Sequence, residues 1–151
     1  MAKTWSRKLV LALLFSISLE ISWALLSSEQ FEAVQASVQR ARDQNGKFDT
    51  IESAFLAVRS LKILGLSLSN TQPVCSQAQE SLSNLMDDLE TGFHAVSVAT
   101  ALNCPLTLRK EHRQLLENVL TDLRESSLEQ KQLAVAIMSE LKVLALTPER
   151  I

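Results

Sequence analysis

Ile51-Glu-Ser-Ala-Phe-Leu-Ala-Val-Arg-Ser-Leu-Lys-Ile-Leu-Gly65 is the stretch that decides the fold. Its apolar positions Ile51, Ala54, Phe55, Val58, Leu61 and Leu64 recur at helical spacing and make one stripe. Asp49 and Glu52 form a capping-box pattern at its start, and Gly65 suits the left-handed residue that closes a helix. The same design returns at Leu89-Glu-Thr-Gly-Phe-His-Ala-Val96 and, more faintly, at Leu128-Glu-Gln-Lys-Gln-Leu-Ala-Val135. Glu52, Glu90 and Glu129 thus mark a period of about 38 residues, which is how stacked helical hairpins announce themselves. The expectation is an all-α fold: antiparallel helical hairpins stacked as an α/α solenoid or partial toroid.

Three hairpins follow from that register. Ser27-Ser-Glu-Gln30 opens a first helix with Phe31, Val34, Val38 and Ala41 as its stripe, and Asp43-Gln-Asn-Gly46 ends it. A third helix runs from Pro73 to about Met86, with proline at a first helical position. Asp87 and Asp88 then cap a fourth, whose stripe is Leu89, Gly92, Phe93, Val96, Ala99 and Leu102. Gly92 costs that helix about 1 kcal/mol relative to alanine and is tolerable where a neighbour packs closely. Asn103-Cys-Pro105 closes the second hairpin. Thr107 opens a fifth helix with Leu115, Leu116, Val119, Leu120 and Leu123 apolar; Ser127 and Gln130 cap a sixth with Val135, Ile137, Met138, Leu141 and Leu144 apolar.

The flanks read differently. Lys3, Arg7 and Lys8, the apolar run Leu9–Ile17, and the small residues Ser22 and Ala24 have the order of a secretory signal, residues 1–24, cleaved between Ala24 and Leu25. The alternative is an uncleaved or amphipathic anchor; the apolar run falls short of the roughly 20 residues that span a bilayer. Residues 25–146 are then the luminal hairpin domain. Thr147-Pro-Glu149 has the form of a helix start, so 147–151 reads as the truncated beginning of a further repeat.

Composition narrows the function. Three glycines, three prolines and no tyrosine favour helices over strands. A net charge of −2, falling to −4 once Lys3, Arg7, Lys8 and Glu20 are removed, argues against nucleic acid as a partner. His94 takes the position of Leu56 in the repeat and reads as packing or surface; His112, among Arg109, Lys110, Glu111 and Arg113, reads as part of a solvated face. Neither histidine has a second ligand at metal spacing, and Asp87-Asp88 reads as a cap rather than a magnesium site. No phosphate loop, nucleophile elbow, catalytic triad or Asn-x-Ser/Thr acceptor occurs. No cofactor and no catalytic residue is expected.

Cys75 and Cys104 are the only cysteines. A signal would deliver them to an oxidising compartment, and the start of helix three meets the end of helix four in an antiparallel hairpin. A disulfide between them is therefore expected, two reduced buried thiols being the alternative.

Ser22-Trp-Ala-Leu25, Phe48-Asp-Thr-Ile-Glu-Ser-Ala-Phe55, Leu64-Gly65, Cys75, the helix bearing Phe93, Ala95 and Val96, and Cys104, in this order and spacing, resemble the N-terminal luminal region of the ribophorin II family. The resemblance runs from the signal to about Leu146. It implies a non-catalytic subunit of the oligosaccharyltransferase complex, which moves a lipid-linked glycan onto asparagine in the endoplasmic reticulum. It implies other subunits of that complex as partners, and a luminal location. Full-length members add further luminal domains and membrane helices, whereas no span is expected in this chain. A small secreted helical binding protein with one disulfide is the rival reading. An α/α-toroid enzyme is a weaker rival, because the acids and metal ligands it needs are missing.

Overall fold

The computed structural model describes residues 27–122 and 126–146. The signal and its Ala24/Leu25 junction, Leu123, the side chain of Leu144 and residues 147–151 lie outside that description. Six α-helices are present among the described residues: α1 Ser28–Arg40, α2 Ile51–Ile63, α3 Gln72–Leu82, α4 Leu89–Leu102, α5 Lys110–Thr121 and α6 Leu128–Leu146. A 3₁₀ turn, Ser83–Met86, follows α3. No strand occurs among the described residues; Arg42 and Phe48 make one isolated antiparallel bridge.

Local chemistry sets most helix ends. Ser27 and Gln30 form a reciprocal capping box at α1, and Ser127 and Gln130 exchange the same two bonds at α6. At α2 the cap is Thr50, whose hydroxyl accepts from the Ser53 N–H at 3.0 Å. Asp49 and Glu52 therefore do not form the expected box, because Thr50 lies one residue nearer the helix. At its other end α2 closes with Gly65 at φ 66°, where the Gly65 N–H bonds Lys62 O and the Leu66 N–H bonds Leu61 O. Asn103 does the same for α4 at φ 55°, through Thr100 O and Ala99 O. Gly65 and Asn103 stand one repeat apart.

Two boundaries differ from expectation. α1 ends at Arg40 rather than at Asn45 or Gly46. Asp43 closes a turn of its own there, accepting from the Asn45 and Lys47 N–H groups, with Gly46 at φ 80°. Thr107 does not open α5, which begins at Lys110. The Thr107 backbone is held instead by Gln79 of α3: its N–H donates to Oε1 at 2.7 Å, and its carbonyl accepts from Nε2 at 3.2 Å.

The core is organised around α4. It packs on α2, on α3 and on α6, whereas α1 touches the rest lightly and has no buried residue. α2, α4 and α6 thus stand in a row with α4 in the middle. Gly92, Ala95, Val96, Val98 and Ala99 of α4 are all buried, which is more than one face. From α2 come Ile51, Ala54, Val58 and Leu61, from α3 Val74, Ala78 and Leu82, and from α6 Ala134 and Ile137. These neighbours bury those five residues of α4 and leave most of its others half-buried, and at about 25 cal/mol per Å² of apolar area this is the main stabilising term.

Candidate functional site on the central helices

Two contacts at opposite ends fix α3 antiparallel to α4. At one end Cys75, in the first turn of α3, is bonded to Cys104, just past α4, with alpha carbons 5.4 Å apart. Asn103 makes this possible, since its left-handed backbone turns the chain back toward α3 immediately before Cys104. At the other end Gly92 meets Leu85. A β-carbon added at Gly92 would sit 2.1 Å from Leu85 Cδ1 and 3.2 Å from its Cγ, so the glycine is the close approach itself. Both cysteines and Leu85 are buried.

The loops at the first hairpin are tied by polar side chains. Gln77 of α3 is buried and brackets Phe48, accepting from its N–H at 3.0 Å and donating to its carbonyl at 2.8 Å. Arg42 donates to the Gly46, Ser69 and Asn70 carbonyls and to Gln39 Oε1. Its guanidinium fork therefore joins the loop after α1 to the loop after α2. Lys47 and Glu80 add an ion pair at 2.8 Å.

The surface feature that stands out is an open groove across α2, α4 and α6. Phe55 and Phe93 line it with ring centroids 5.8 Å apart, beside Ser97, Thr100 and Ser139, and Arg59, Lys62, Ile63 and Glu140 stand along it. His94 stacks on Phe55 at 4.7 Å and is half-buried, whereas Leu56, its equivalent in the repeat, is 55% exposed. The Arg59 guanidinium lies 5.7 Å from the Phe55 ring centroid. Ile63 is 51% exposed.

His112 is not on a solvated face. It is 3% exposed, and its Nδ1 has no hydrogen-bond partner among the described residues. The charges of Arg109, Lys110, Glu111 and Arg113 point outward around it and hide in sequence the one inward position of that turn. Asp88 caps α4 by accepting from the Glu90 N–H and the Thr91 hydroxyl. The Thr91 hydroxyl bond above all holds its carboxyl below the ordinary value of 3.8; burial, the next largest effect, opposes it, and the backbone bonds and nearby His94 add to the lowering. Asp87 caps the 3₁₀ turn.

Among the described residues no group of three histidines, cysteines or acids is placed to hold a metal ion, and no helix is long and apolar enough to cross a membrane. What this arrangement offers chemically is a rigid, disulfide-tied scaffold and a surface groove. A family model described as the ribophorin II N-terminal domain matches residues 26–148, most of the chain. Comparison with curated proteins and with solved structures finds no match.

Proposed function

We infer the role of this chain from its family, for it belongs to the ribophorin II family. It is a non-catalytic structural subunit of the oligosaccharyltransferase complex, supporting N-linked glycosylation from the luminal side of the endoplasmic reticulum. The observation that carries this reading is the family match, which takes in every described helix. Other subunits of the complex are its partners. Residues 1–24 serve as a cleaved signal and 25–146 as the luminal domain.

The hairpins repeat and stack as a solenoid. In support, α2, α4 and α6 begin at residues 51, 89 and 128, and α3 and α5 at 72 and 110. The row of α2, α4 and α6 is the inner layer of such a stack. A disulfide at Cys75 and Cys104 suits an oxidising lumen.

The test is immunoprecipitation of the tagged chain from mild-detergent lysates, with the N-terminus of the recovered chain sequenced. Oligosaccharyltransferase subunits should come with it, and the chain should begin at Leu25. Recovery alone from the medium would support the small secreted binding protein instead.

A further inference from the structure

We propose that the groove across α2, α4 and α6 docks a polypeptide segment of a partner that interleaves carboxylates with apolar side chains. The proposal rests on the assembly reading above and names the surface and partner chemistry it would use. Its lining sets large apolar groups, the half-buried Phe55 and Phe93 and the exposed Ile63, among the hydroxyls of Ser97, Thr100 and Ser139. Large apolar groups left together at a surface mark a docking site more often than a scattered leucine does.

Charge sets the partner. Arg59 and Lys62 stand one turn apart on the α2 wall. Neither is in an ion pair among the described residues, where Lys47–Glu80 is the one recorded. The Arg59 guanidinium lies over the Phe55 ring, 5.7 Å from its centroid, so a carboxylate arriving beside that ring meets a positive charge. Glu140 occupies the opposite wall and disfavours the reverse orientation.

Size makes the occupant a chain rather than a small molecule. Packed helices stand about 8–10 Å apart, so a groove crossing three of them spans roughly 16–20 Å. An extended strand covers that in about five or six residues, alternating its side chains between floor and rim.

The test uses the full chain, a fluorescein-labelled peptide of alternating leucine and glutamate, and its leucine–lysine counterpart, read by anisotropy. The glutamate peptide should bind and the lysine peptide should not. Arg59→Glu with Lys62→Glu should weaken the glutamate peptide at least about tenfold and bring in the lysine peptide, the tenfold loss being about 1.4 kcal/mol. Ile63→Asp should weaken the glutamate peptide, while Leu128→Glu, outside the groove, should leave it unchanged. Unaltered circular dichroism in each variant keeps the comparison clean. Equal binding of both peptides, or reversal of charge without reversal of preference, overturns the proposal. So does a dimer that the groove variants dissolve, which assigns the groove to a second copy. Binding to anionic vesicles that the peptide fails to displace assigns it to lipid and overturns it too. If the charge-reversed chain still co-purifies with the complex, the groove proposal fails and the assembly reading stands. If the wild-type chain does not co-purify, the assembly reading fails whatever the peptides do.

Discussion

Gly92→Ala should destabilise this domain, although the same change stabilises most helices. In an open helix interior the substitution gains about 1 kcal/mol. Here the new β-carbon would lie 2.1 Å from Leu85 Cδ1, 3.2 Å from Cγ and 3.3 Å from Cβ. Rotating Cδ1 away relieves only the first contact, and Leu85 is 0% exposed, with no open space to turn into. Overpacking of that kind costs about 1–3 kcal/mol, so the net loss is roughly 0–2 kcal/mol. Leu85→Ala removes both Cδ1 and Cγ, leaving only the 3.3 Å approach to Cβ. In that background Gly92→Ala should become neutral or stabilising, and the double-mutant cycle should show a coupling of about 1–3 kcal/mol. Urea unfolding of the four proteins with the disulfide intact measures every term. Additive effects, or a Gly92→Ala variant that is simply more stable, would refute the close approach of α4 to the 3₁₀ turn.

Three further outcomes follow from the same geometry. Cys75→Ser with Cys104→Ser opens a bridge between residues 29 apart and should cost about 3–4 kcal/mol in the chain-entropy model, seen in denaturant midpoints; mass spectrometry of the non-reduced luminal chain should find no reactive thiol before the change. Gln77→Ala leaves the buried Phe48 N–H and carbonyl unbonded, and at about 1–3 kcal/mol for each orphaned group it should destabilise more than Gln79→Ala, whose partners are exposed. Asp88→Ala should cost about 0.5–2 kcal/mol as a lost cap; because the folded-state carboxyl is held below 3.8, the part of that stabilisation carried by its charge is present above 3.8 and lost as the pH falls through the lower folded-state value, so acid titration should narrow the gap between wild type and variant.

What the sequence disclosed was local chemistry. Ser27 with Gln30 and Ser127 with Gln130 announce their helices, because cap and partner lie three residues apart. The 38-residue register carries Gly65 onto Asn103, two residues that both accept a left-handed backbone. Hidden from a local reading were the contacts that cross the chain. Gln79 claims the backbone of Thr107 from 28 residues away, and nothing near Thr107 signals it. Thr50 displaced Asp49 as cap of α2, since two adjacent residues both had capping side chains. The central place of α4 was readable but passed over: from Thr91 to Leu102 it has no acid, lysine or arginine, the pattern of a helix covered on several sides. Ala95 and Val98 lay outside the single stripe and are buried all the same.

The groove was not legible at all. Arg59 and Lys62 lie off the apolar stripe of α2, and Glu140 lies some eighty residues later on α6. Only the packing of α2 and α6 on either side of α4 brings them to one surface. His112 shows the converse, a buried ring concealed by charged neighbours in sequence.

Membership of the oligosaccharyltransferase complex is tested most directly by co-purification of the epitope-tagged chain from cells in mild detergent, followed by mass spectrometry of its companions and its own N-terminus. Oligosaccharyltransferase subunits recovered with a chain that begins at Leu25 are the predicted result. A chain that sediments alone, or that retains Met1 in the cytosol, contradicts it.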